Sequence, residues 1–150
     1  MGLLSKTNGG FLIGKIKQIQ GRVFEKLLAE YGIDQFNGAQ GRILFVLWGE
    51  DDIPIRALSE KTGLAKTTLT GMLDRLEASG HIRRMYDPSD RRTFKIKLTE
   101  TAGGLKGRYE EVSARMNGIF YEGFSDEEII AFESSLVRIL DNLTKKENLK

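Results

Sequence analysis

The chain has no cysteine in its 150 residues, a single histidine, two prolines and one tryptophan. Without cysteine this chain forms no disulfide, no thiolate metal site and no thiol redox switch. One histidine, His81, is too few for a histidine-based metal site within one chain. No apolar run approaches the ~18 residues of a spanning helix, and the start lacks a basic stretch followed by an apolar core and cleavage site. A cytoplasmic location with no membrane partner is therefore expected. The opening Met1-Gly2-Leu3-Leu4-Ser5-Lys6 approaches a myristoylation signal, but Lys6 stands where that signal needs Ser or Thr. No nucleophile and base pair is visible, so neither an enzyme nor a cofactor is expected.

What is present is ordinary in amount and uneven in place. Hydrophobic residues make up 40% and charged residues 29%, enough for one compact domain or two small lobes sharing a core. The net charge of +2 conceals an asymmetry. Residues 56–98 carry ten basic and five acidic side chains, whereas residues 99–150 carry seven basic and ten acidic. A polyanion would bind the central stretch.

Apolar spacing of three and four predicts a helix over about 9–31, closed by Gly32. Asn37 with Gln40 predicts a reciprocal N-cap for a second helix that ends at Gly49. Ile53-Pro54-Ile55 is expected to be an extended link, because proline cannot sit inside a helix here. A short helix over 56–62, a turn at Gly63, and a helix over 66–79 ended by Gly80 follow. Ile82–Tyr86 and Phe94–Leu98 read as the strands of a hairpin, with the charged turn 87–93 at its tip. In the second strand Phe94, Ile96 and Leu98 are expected to face the core. One helix over about 100–122 and a last one opened by the Ser125/Glu128 capping box complete the chain.

At 100° per residue, Leu69, Met72, Leu73 and Leu76 share one side of the 66–79 helix. Thr67, Thr70, Gly71 and Asp74 share the other, a strip small enough to approach base edges in the ~12 Å wide major groove. Threonine donates, accepts and offers a methyl to thymine, so Thr67, Thr68 and Thr70 suit base readout, and Gly71 removes bulk. Lys66 and Arg75 are placed to neutralise phosphates. Asp74 must pair with Arg75 or accept from a cytosine amino group to be tolerated there. At the hairpin tip Arg91 and Arg92 can reach the minor groove, with Asp90 holding the Arg92 guanidinium extended.

The run Leu69-Thr70-Gly71-Met72-Leu73-Asp74-Arg75-Leu76-Glu77, then Gly80 and Ile82, Asp87-Pro88-Ser89-Asp90-Arg91-Arg92 and Leu98-Thr99, resembles the MarR family of winged helix-turn-helix transcriptional regulators. The order of elements matches over nearly the whole chain. The resemblance implies a mainly α fold with a small antiparallel β wing. In that fold a DNA-binding lobe at 33–98 is flanked by a helical dimerisation lobe from 1–32 and 99–150. It implies a homodimer on a palindromic double-stranded DNA operator, expected to act as a repressor. Base contacts would come from Thr67, Thr68, Thr70 and Arg75, and a minor-groove contact from Arg92 supported by Asp90. The family's cysteine-based oxidant sensors are excluded by composition. His81 stands where the family has an apolar residue, and is expected to be a partly exposed strand starter.

Family members also bind small amphipathic or aromatic effectors in a cleft between the lobes. Arg42 and Trp48 are candidate lining residues. A winged helix used only for protein contact is the competing function, and it predicts no salt-dependent duplex binding. Gly104-Leu105-Lys106-Gly107 mimics a KH-type string without that module's strands. Gly63-Leu64-Ala65-Lys66-Thr67-Thr68 mimics a phosphate loop without the glycine before its lysine.

Overall fold

A computed structural model describes residues 2–148. The chain forms two compact units, Met1–Ala114 and Arg115–Lys150. After a 3-10 turn at Leu3–Lys6, the first unit begins with α1 (Gly9–Glu30) and α2 (Gly38–Gly49). It continues through β1 (Ile53–Pro54), α3 (Ile55–Thr62), α4 (Lys66–Ala78), β2 (Ile82–Asp87), β3 (Asp90–Leu98) and α5 (Glu100–Gly103). Helix α6 (Lys106–Phe120) begins in this unit, and the second unit also contains α7 (Asp126–Glu147).

Local chemistry sets these boundaries. Asn37 accepts from the Gln40 N–H at 2.8 Å while Gln40 Oε1 accepts from the Asn37 N–H at 3.0 Å, so α2 opens with both orphan donors satisfied. Helix α4 is followed by Ser79 as its C-cap, after which Gly80 takes a φ of +83° that side chains resist. Ile43, Leu44, Leu47, Leu58, Leu69, Leu73 and Ile96 are fully buried and form the core beneath α4. Burying each such side chain is worth ~1.5–3 kcal/mol. Gly41 answers a close approach: a Cβ there would lie 2.7 Å from Tyr109 Cε2. Tyr109 packs edge-on to Phe24 and against Trp48, and its burial pushes the phenol pKa up to about 12.

Three expectations change. Ile53-Pro54 is a strand, not only a link, pairing Ile53 with Ile96 to make a three-stranded antiparallel sheet in the order β1-β3-β2. Pro54 is tolerated because β1 is an edge strand. The expected helix over 100–122 is broken into α5 and α6 around Gly104-Leu105, where the run of glycines weakens the turn. Finally, His81 is buried, 2% exposed, because the Gly80 turn folds it inward against Phe36. On β3 only Ile96 is fully buried, while Phe94 and Leu98 are half-buried.

In the second unit Ser125 and Glu128 form the expected capping box at the start of α7. Phe120, Tyr121, Phe124 and Phe132 pack ring on ring, and the Tyr121 hydroxyl donates to Glu133 Oε2 at 2.6 Å. No described residue of α7 is buried, and Ile130, Val137, Leu140 and Leu143 remain exposed. Among the described residues no helix is long and apolar enough to cross a membrane.

Candidate nucleic-acid interface

Helix α4 divides as its periodicity predicts. Leu69, Leu73 and Leu76 are buried, while Lys66, Thr67, Thr68, Thr70, Gly71, Asp74 and Arg75 are exposed. The helix N-cap is Ala65, which has no side chain to cap the first turn, so that positive end is left for an anion to satisfy. Lys66 stands on the same turn. Sequence reasoning weighed the lysine and passed over the uncapped turn, whose signal is an alanine where Ser, Thr, Asp or Asn is usual. Thr70 Oγ1 donates to the Lys66 carbonyl at 2.9 Å, so its proton is spent inside the helix and its oxygen is left to accept. A Cβ at Gly71 would meet nothing within 4 Å, so the gap in the strip is real.

The hairpin turn is tighter than expected. Strand β3 begins at Asp90, so the tip is Pro88-Ser89, and Asp90, Arg91 and Arg92 lie at the start of the strand. Asp87 Oδ1 accepts from the Ser89 N–H at 2.9 Å and from the Ser89 hydroxyl at 2.7 Å, closing the turn. Those hydrogen bonds hold the Asp87 carboxyl below its usual range. Asp90 Oδ1 accepts from Arg92 Nε at 3.1 Å and from the Arg92 backbone N–H at 3.0 Å. The Arg92 side chain, 92% exposed, is thereby steered by a neighbour while its outer edge faces solvent. The same hydrogen bonds hold the Asp90 carboxyl below its ordinary value, so the pairing persists at neutral pH. Arg91 and Lys95 are exposed on the same hairpin.

Asp74 does not pair with Arg75, the protein partner weighed from the sequence. Its Oδ1 accepts from Arg84 Nη2 at 2.7 Å. The proximity of Arg75 in sequence misleads, since adjacent helix residues do not face each other.

His81 lies behind this surface. Ser79 Oγ lies 3.1 Å from the Leu76 carbonyl and 2.6 Å from His81 Nδ1, so hydroxyl and ring share a hydrogen bond whose direction follows the ring tautomer. Nε2 is buried without a partner, and burial lowers the His81 pKa, so the ring is neutral.

A cavity of about 480 Å³ opens between α2, α3 and the start of α6, lined by Phe45, Trp48, Lys61, Lys106 and Glu110 among others. Trp48 Nε1 donates to the Ala102 carbonyl at 3.2 Å, which fixes the indole. Lys61 is paired with Glu50 at 2.9 Å at the rim. Arg42 is exposed on α2 but does not line this cavity.

Comparison with known proteins converges on one family. The MarR family pattern matches residues 36–94, which include α4 and the start of β3. The chain is 34% identical over 123 residues to the HTH-type transcriptional regulator TtmR of Methylorubrum extorquens, covering 82% of this chain and 60% of that protein's length. It is 33% identical over 125 residues to the uncharacterized HTH-type transcriptional regulator YsmB of Bacillus subtilis, covering 81% of each. Among solved structures, overoxidized AbfR bound to DNA superposes with a TM-score of 0.69 at 27% identity, covering 89% of this chain and 90% of that one. Over both the winged unit and most of the remaining length, then, this chain belongs to the MarR family of transcriptional regulators, DNA-binding proteins and not enzymes.

Proposed function

We propose that the chain works as a homodimeric repressor that reads a palindromic duplex operator. The observation that carries this reading is the two-sided α4. Its leucines are sealed into the core, while Lys66, Thr67, Thr68, Thr70, Gly71 and Arg75 are exposed together on one 13-residue helix. Lys66 and Arg75 position the helix on phosphates, and the threonine strip reads base edges in the major groove. Arg92, steered by Asp90, reaches the neighbouring minor groove, and Arg91 adds a phosphate contact. AbfR, bound to DNA in its own structure, supports this use of the fold.

Residues 33–98 form the DNA-binding lobe in this reading, and 1–32 with 99–150 form the dimerisation lobe. The apolar stripes support it: Phe11, Ile16 and Ile19 on α1, and Leu140 and Leu143 on α7, are exposed in the single chain. A second copy would cover them, and its winged unit would meet a half-site about one helical turn, ~34 Å, away. A duplex-DNA partner supports the expected cytoplasmic location.

The cavity beside Trp48 favours release by a small effector. An aromatic wall of Phe45 and Trp48, bordered by the charge-balanced pairs Lys61–Glu50 and Lys106–Glu110, suits a small aromatic or amphipathic molecule. Such a ligand would release DNA only by binding better to a conformation whose two recognition helices are wrongly spaced.

Charge reversal tests the DNA reading. Arg91→Glu with Arg92→Glu should weaken binding to a selected duplex at least a hundredfold at moderate salt, read by fluorescence anisotropy. Unchanged affinity would remove the wing from the mechanism.

A further inference from the structure

Arg84, on β2, is the most heavily engaged cation on this face, and nothing in the motif comparison assigns it a role. Its side chain is only 10% exposed. Nη1 donates to Glu77 Oε1 at 2.6 Å, Nη2 donates to Asp74 Oδ1 at 2.7 Å, and Nη2 also reaches the Thr70 carbonyl at 3.5 Å. The Arg84 backbone N–H donates to the other oxygen of Glu77 at 3.0 Å. The guanidinium lies over the Phe94 ring of β3, 5.7 Å from its centroid. Burial opposes the charge, but the hydrogen bonds to Glu77 and Asp74 outweigh it and hold the guanidinium pKa above its ordinary value. One planar fork therefore ties the helix carrying the threonine strip to both strands of the hairpin carrying Arg92.

Resting on the DNA reading above, we propose that Arg84 is a positioning residue. It fixes the recognition helix relative to the wing, and so sets sequence specificity, without itself touching DNA. Major-groove and minor-groove contacts must be met together, and recognition of this kind requires placement within about 0.5 Å. Asp74 and Glu77 are three residues apart on one helix face, a separation that a rigid guanidinium bridges and a point-charge ammonium does not. The fork also neutralises Asp74, which would otherwise present a bare carboxylate beside the phosphate-facing strip. Arg84 is spent on these partners, whereas Arg75 and Arg91 are exposed and suited to meet phosphates.

The test compares the full-length protein with Arg84→Lys and Arg84→Gln. The probes are a duplex enriched from a random library by the wild-type protein and a random-sequence duplex of equal length. Both variants should lose at least tenfold in the ratio of specific to non-specific affinity. The slope of log affinity against log salt should stay unchanged, because no phosphate contact is removed. Arg84→Lys keeps the charge, so it carries the test if Arg84→Gln fails to fold. A specificity ratio for Arg84→Lys within twofold of wild type overturns the proposal, and so does a slope reduced by about one, which would make Arg84 a phosphate contact. Hydrogen exchange on the DNA-free proteins separates this from failure of the DNA reading. In Arg84→Lys the amides of β2 and β3 should exchange at least tenfold faster while those of Leu73 and Leu76 keep their protection. Unchanged exchange in the hairpin overturns the positioning role whether or not the wild type prefers any duplex.

Discussion

Helices α4 and α7 are both amphipathic, and they treat their apolar sides in opposite ways. Leu69, Leu73 and Leu76 of α4 are buried by α3, β2 and their neighbours within the same unit, whereas α7 buries none of its described residues. The first unit thus buries the apolar side of α4 and leaves a polar strip outside. Helix α7 leaves an apolar stripe outside, which water does not reward. One helix is ready to meet a polyanion, and the other is ready to meet a second apolar surface.

The largest effect that would sharpen this contrast is in the α4 core. Leu73→Ala should destabilise the protein by about 2–5 kcal/mol through lost burial and the cavity left behind, measured by chemical denaturation. The same change at Leu143 should barely alter the stability of an isolated chain. Leu140→Glu with Leu143→Glu should instead act on assembly, converting a dimer to monomer at micromolar concentration in sedimentation experiments. A dimer that survives both charges would mean that the α7 stripe is not covered by a second copy.

A pH effect comes next. The folded-state pKa of His81 is lowered from 6.5, so the unfolded chain binds the extra proton first. Stability should therefore be fully present above the unfolded-state pKa and fall as pH drops below it, and His81→Leu should flatten that slope in melts between pH 7.5 and pH 5. The smallest effect is at the α7 cap: Ser125→Ala should cost about 1 kcal/mol without changing DNA affinity.

How much of this was legible in the sequence follows from what each feature depends on. The division of α4 was legible because 3.6-residue periodicity places Leu69, Leu73 and Leu76 together regardless of tertiary context. The Asn37 and Ser125 caps were legible because their partners lie three residues away. The Arg84 cluster was not, since it joins residues seven and ten positions apart through a helix-to-strand turn whose angle no local pattern encodes. Burial of His81 was hidden for a related reason. Ser79 supplies its partner across Gly80, and the sequence offers no apolar run to mark the site. Strand β1 escaped notice because two residues, one of them proline, carry no alternation.

The division of labour between the two regions rests on the exposed face of α4 reading duplex DNA. Selection of bound sequences from a random duplex library with the purified protein, at stated salt, tests this most directly. The expected result is an enriched palindrome with half-sites about one helical turn apart, bound with an affinity that falls steeply with salt. Recovery of no enriched sequence, together with no salt-dependent duplex binding, would contradict it.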